Sequence, residues 1–150
     1  MIKIHLVEDN SKLVELIREA LEKAQISHTL RVSSNGEEAL YYLKNAKTPP
    51  HLILLDLNLP KKTGFEVLDV VKKDPALRPI PIIILTSSDT QEDILRAYSH
   101  HCNAYVRKPA EFDKVVKTIQ SICTFWVDVA TLPQTLDPTP VPPPPPPPKF

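Results

Sequence analysis

Glycine is nearly missing from this chain: Gly36 and Gly64 are the only two in 150 residues. That scarcity excludes a phosphate-cradling GxxxxGKS/T loop, a GxGxxG dinucleotide turn and a GxSxG nucleophile elbow, each of which needs glycines closely spaced. Cysteine is equally sparse. Cys102 and Cys123 have no CxxC spacing, so there is no sign of a disulfide framework or a zinc site. Net charge is absent too, with 18 basic against 18 acidic residues, which removes the electrostatic footprint for nucleic acid or anionic lipid. No apolar run approaches the ~20 residues that span a bilayer. The first ten residues hold one short apolar stretch ending in acids, which is not a secretory signal. The expectation is a cytoplasmic, reduced protein with one domain and a short appendage.

What is present alternates in period. Ile2 to Val7 reads as a strand, and from Lys12 the residues Leu13, Leu16, Ile17, Ala20, Leu21 and Ala24 follow helical spacing behind Asn10 or Ser11 as cap. On that helix Val14 and Arg18 fall off or at the margin of the buried stripe, free to touch a partner. His28 to Val32 is a weaker strand, followed by a helix over Gly36–Leu43 capped by Ser34 or Asn35. Leu52–Leu55 is apolar at consecutive positions, the mark of a strand buried on both faces. A helix over Gly64–Lys73, a second doubly buried strand Ile82–Leu85, a helix capped near Asp89 or Thr90 and a last strand Ala104–Val106 complete the alternation.

Strands alternating with helices indicate an α/β doubly wound fold with a five-stranded parallel sheet; right-handed crossovers leave few topologies, and the flavodoxin-like order 2-1-3-4-5 is the one expected. The last helix starts near Glu111, with Phe112, Val115, Val116, Ile119, Ile122, Cys123 and Trp126 on its apolar stripe. Phe125 to Val129 reads equally well as extended chain. Residues 1–132 form the domain with its C-terminal extension. Residues 133–150, ending in seven consecutive prolines before Lys149 and Phe150, read as a polyproline II tail with no output domain attached.

The polar residues concentrate at the carboxyl ends of the strands, where open parallel sheets bind ligands. Glu8 and Asp9 follow the first strand, Asp56 the third, Thr86 closes the fourth and Lys108 follows the fifth. Adjacent carboxylates repel unless a cation sits among them. Mg²⁺, with Mn²⁺ as a substitute, suits an all-oxygen set that shares its shell with water and phosphate. Asp56 is then placed as a nucleophile toward phosphorus, with Lys108 and the metal on the developing charge and the Thr86 hydroxyl on a phosphoryl oxygen. Glu8-Asp9-Asn10 alone would merely cap a helix; the combination is harder to reach that way. A Mg²⁺-dependent phosphohydrolase is the enzyme alternative, but its usual second carboxylate two residues on is Asn58 here. A flavodoxin would need amide and hydroxyl donors where this chain has acids.

At Val7-Glu8-Asp9-Asn10, Leu55-Asp56-Leu57-Asn58-Leu59-Pro60, Gly64, Leu85-Thr86-Ser87 and Tyr105-Val106-Arg107-Lys108-Pro109 the sequence resembles the receiver domains of bacterial response regulators, from residue 2 to about 123. The resemblance implies a phosphoacceptor signalling protein rather than an enzyme: Asp56 takes phosphate from a histidine kinase, and Glu8, Asp9, Asp56 and the Asn58 backbone carbonyl hold Mg²⁺. Thr86 and Lys108 then contact the phosphoryl group, Thr86 and Tyr105 act as the switch, and the Lys108–Pro109 bond is expected cis. The face of the fourth helix, last strand and last helix would repack. Asn58 and Ser88 stand where the family tunes the phosphate lifetime. The loop Asp56–Gly64 and Phe125-Trp126…Thr131-Leu132-Pro133 are similar to small regulators paired with cyanobacterial phytochromes, which implies a light-regulated kinase partner and a homodimer.

The cluster Phe125, Trp126 and Val127 overhangs the length that a short strand can cover, and is assigned to a dimer interface against the alternative that it folds back. His100-His101 sits where end carbonyls need partners. Lys61-Lys62 reads as a solvated pair, and the proline run as a solvated extension.

Overall fold

The computed structural model describes residues 1–133 and 145–148. Five strands, β1 (Ile2–Val7), β2 (His28–Ser33), β3 (Leu52–Leu55), β4 (Ile82–Thr86) and β5 (Ala104–Arg107), pair in parallel in the order β2-β1-β3-β4-β5. Helices α1 (Ser11–Lys23), α2 (Gly36–Asn45), α3 (Gly64–Lys73) and α4 (Gln91–Ser99) fill the four crossovers, and α5 (Phe112–Thr124) follows β5. This is the flavodoxin-like order that the alternation of periods led us to expect.

The consecutive apolar residues of β3 serve two cores at once. Leu52 and Leu54 join Ile4, Leu6, Ile83 and Leu85 under α1 and α5, whereas Ile53 and Leu55 join Val7, Ile82 and Ile84 under α2, α3 and α4. Each fully buried leucine or isoleucine stabilises by about 1.5–3 kcal/mol. Surface pairs such as Lys23–Glu19 contribute about 0–1 kcal/mol. The two apolar layers therefore decide the fold.

Side chains close the starts of α1, α2, α3 and α4. Asn10 Oδ1 accepts from the N–H groups of Lys12 and Leu13, Asn35 Oδ1 from Glu38, and Thr90 Oγ1 from Asp93. Thr63 and Glu66 form a reciprocal capping box on α3.

Several expectations are corrected. Val14 is buried and Leu16 only partly so, because α1 packs on both the sheet and α5 and its stripe is Leu13, Val14, Ile17, Ala20 and Leu21. Phe112 stands 66 % exposed at the first residue of α5, ahead of the turn that meets the core. Phe125–Val129 is neither extended nor α-helical but one π-helical turn, with the Ala130 N–H bonded to the Phe125 carbonyl. His100 pairs with Asp69 through its imidazole, 3.2 Å away, rather than bonding an end carbonyl. Of the tail, Pro133 and Pro145–Pro148 are exposed and outside any helix or strand; the rest of the tail lies outside the described residues. Among the described residues no helix is long and apolar enough to cross a membrane.

Candidate functional site

Backbone bonds beyond the strand ends bring the site together. The Glu8 N–H donates to the Ser33 carbonyl, the Asp56 N–H to Val7 and the Lys108 N–H to Thr86, so the sheet ladder continues through the residues that carry the chemistry. Glu8 and Asp56 are buried at 2 % and 4 % exposure, while Asp9 faces solvent. Glu8, Asp9 and Asp56 each offer a carboxylate oxygen within 4.8 Å of the others.

Lys108, the residue after β5, closes this cluster with its ammonium 2.7 Å from Glu8 Oε2 and 3.1 Å from Asp56 Oδ2. Burial raises the Glu8 carboxyl, and the nearby Asp56 charge pushes the same way; the Lys108 hydrogen bond only partly offsets them. Burial alone would lower Lys108, but bonding to Glu8 and the Asp56 charge more than compensate, and its pKa is raised. One ammonium against three carboxylates leaves the pocket anionic. Thr86 is wholly buried, and its Oγ1 is without a hydrogen-bond partner among the described residues. A buried hydroxyl left unpaired costs about 1–3 kcal/mol, so it is a donor in want of an acceptor. All-oxygen ligands, unbalanced negative charge and an idle donor fit a divalent cation with a phosphoryl group.

Asn58 has an exposed side chain, and its N–H donates to Asp56 Oδ1 at 3.2 Å, which places its backbone beside the carboxylates. Gly64 packs behind Asp56. A Cβ there would run into the Asp56 carbonyl oxygen and stand 2.6 Å from Leu57 Cα, so α3 can start this close only at a glycine. The glycine count in the sequence carried this signal, although not the contact.

Tyr105 rests partly on the α2–α3–α4 core, its hydroxyl donating to the Ser88 carbonyl at 2.8 Å while the Tyr98 hydroxyl accepts from its N–H. The Lys108–Pro109 peptide is trans, against the expected cis isomer. Trans is intrinsically favoured even before proline, and Lys108 reaches both carboxylates with it.

Phe125, Trp126 and Val127 lie away from these residues, at the amino ends of the strands. Trp126 folds back on the α1–α5 core with Leu132, whereas Phe125 and Val127 stay exposed at 49 % and 38 %.

Comparison with known proteins agrees with this geometry. Residues 4–120 match the response regulator receiver domain model. Response regulator Rcp1 of Synechocystis sp. is 39 % identical over 135 residues, covering 87 % of this chain and 92 % of that protein. The probable methanogenesis regulatory protein FilR2 of Methanothrix harundinacea is 38 % identical over 128 residues, 83 % of each chain. The Mn²⁺-bound form of Rcp1 superposes with a TM-score of 0.85 at 38 % identity, over 89 % of this chain and 99 % of that one. The phosphorylated cyanobacterial phytochrome response regulator RcpA gives the same score and coverage at 42 % identity. The chain belongs to the response regulator receiver domain family, and is homologous to the phytochrome response regulators within it.

Proposed function

We propose that this chain is a phospho-switched regulator in which Asp56 accepts a phosphoryl group from a histidine kinase. The observation that carries the reading is Asp56 itself, a buried carboxylate bonded to an ammonium and within ligand distance of two further acids. An Asp56 oxygen forms the new bond to phosphorus as the phosphohistidine P–N bond breaks, its electron pair staying with the imidazole. Lys108 offsets charge on the phosphoryl oxygens. Glu8, Asp9, Asp56 and the Asn58 carbonyl are the residues that would hold Mg²⁺ or Mn²⁺. The bound cation supplies charge neutralisation at the phosphoryl oxygens. Attack of water later returns the carboxylate, so the chain acts on itself and on no other substrate.

Thr86 then gains the acceptor it lacks. Drawing its hydroxyl toward the phosphoryl group biases the space beside Tyr105, and with it the α4–β5–α5 face. The likeness to RcpA supports a phytochrome-type kinase as donor, and a cytoplasmic setting follows from such a partner. A cleft of about 480 Å³ beside Lys108, bordered by Leu16 and Phe112, offers the kinase an apolar rim. Exposed Phe125 and Val127, with Val129 beside them, support a homodimer through the end of α5.

Transfer of labelled phosphate from an autophosphorylated cyanobacterial phytochrome kinase tests the reading. Label should reach the parent protein, not an Asp56→Asn variant, and should stop on chelation of Mg²⁺. No transfer to the parent contradicts the kinase partner.

A further inference from the structure

Both glycines of this chain meet one seven-residue connection, the stretch 57–63 that leads from Asp56 into α3. Gly64 closes its far end, as described. Gly36, the first residue of α2, touches its middle. A Cβ at Gly36 would collide with the Lys62 carbonyl oxygen, lie 2.7 Å from the Lys62 carbonyl carbon and stand 2.8 Å from Lys62 Cβ. Two of those three atoms are backbone, so no rotamer change relieves the contact; the loop itself must move.

That loop is tied down unevenly. Its first half is anchored by buried Leu57 and Leu59 and by the Asn58 N–H on Asp56. Its end is anchored by the Gly64 N–H on the Leu57 carbonyl and by the Thr63–Glu66 capping box. Between them Lys61 adopts φ 66°, a left-handed conformation that lysine rarely enters without being held there. Among the described residues no hydrogen bond or ion pair holds Lys61 or Lys62. What Lys62 meets is the bare backbone of Gly36 at the start of α2, where the helix dipole favours a carbonyl oxygen.

We propose that Gly36 is a positioning residue for the metal and phosphoryl site: its missing side chain seats the Lys62 backbone against α2 and thereby fixes the loop that presents Asn58 to Asp56. The inference rests on the metal-site reading above. A side chain at residue 36 pushes the loop outward from its middle. The displacement reaches the Asn58 carbonyl, the one proposed metal ligand supplied by the loop itself rather than by a strand end. The effect therefore falls on cation affinity more than on the fold.

Mn²⁺ binding followed by electron paramagnetic resonance, well below the melting temperature, tests this on the full chain. The set is the parent, Gly36→Ala, Asp56→Asn and Ala39→Gly, the last a control that weakens α2 without adding a side chain against Lys62. Gly36→Ala should bind Mn²⁺ at least tenfold more weakly, while Ala39→Gly stays within twofold of the parent. Binding by folded Gly36→Ala within twofold of the parent overturns the proposal, as does an equal loss in Ala39→Gly. If Gly36→Ala does not fold, the exposed Lys62→Gly, which takes the Lys62 Cβ out of the contact and loosens the loop backbone that rests on α2, takes its place, with a threefold loss expected and no change overturning. Failure of the parent to bind, or normal binding by Asp56→Asn, removes the metal-site reading and this proposal together. Normal parent behaviour with an unaffected loop variant removes the proposal alone.

Discussion

Lys108 places a single ammonium 2.7 Å from Glu8 and 3.1 Å from Asp56, so one cation stands between two buried carboxylates. Removing one partner from a buried ion pair costs about 3–5 kcal/mol, because the remaining charge stays desolvated. Lys108→Met should therefore lower stability by about 3 kcal/mol in chelator, measured by urea unfolding. Mg²⁺ should then restore more stability to the variant than it adds to the parent. Equal unfolding midpoints in chelator would show that the pair carries no weight.

Thr86 gives a prediction of opposite sign. Its buried hydroxyl has no partner among the described residues, so Thr86→Val removes a desolvated group at nearly constant shape. The unphosphorylated variant should be as stable as the parent or more so by about 1 kcal/mol. On phosphorylation the parent should gain stability that the variant does not. A clear loss of stability in unphosphorylated Thr86→Val would mean that the hydroxyl is already satisfied.

His5 sets an acid limit. It is fully buried, with Nε2 2.8 Å from Ser33 Oγ and its ring edge-on to Tyr42, and burial followed by the Arg31 charge lowers its pKa to about 3. The unfolded chain takes up a proton near the ordinary value of 6.5, which the folded one refuses until about 3. Its stabilising contribution is thus whole above 6.5 and shrinks as pH falls toward 3, by about 1.4 kcal/mol per unit at most. Chemical denaturation between pH 7 and 4 should show this slope in the parent and a shallower one in His5→Gln. Parallel slopes would assign the acid sensitivity to the carboxylates instead.

How far the sequence went depended on whether a residue's fate was local. The β3 run Leu52–Leu55 announced its double burial because both faces show in consecutive positions, and crossover rules narrowed the strand order to a few, the flavodoxin-like one among them. The acids, Thr86 and Lys108 were legible because strand ends in a parallel sheet converge. Val14 and Leu16 exchanged roles because a helix packed between a sheet and α5 has a wider stripe than one facing a single layer. Trp126 turned back to the core, which no pattern in Phe125–Val129 distinguishes from exposure. The contacts of His5 with Ser33 and of Gly36 with Lys62 join residues 28 and 26 positions apart, beyond any local period.

The exposed end of α5 yields a prediction about assembly. Phe125 and Val127 are 49 % and 38 % exposed, and the Phe125 ring meets Trp126 edge-on, so Phe125→Asp should lower stability by only about 1 kcal/mol. Sedimentation velocity should show the parent dimerising with concentration and the variant remaining monomeric. A parent that stays monomeric at every concentration, with or without phosphate, contradicts the interface.

The central claim is that Asp56 carries the phosphoryl group. Intact mass after incubation with Mg²⁺ and acetyl phosphate, beside Asp56→Asn, addresses it without any partner protein. The account predicts that the parent gains one phosphoryl group and the variant none. No gain by the parent while Mg²⁺ is bound, or an equal gain by Asp56→Asn, would contradict it.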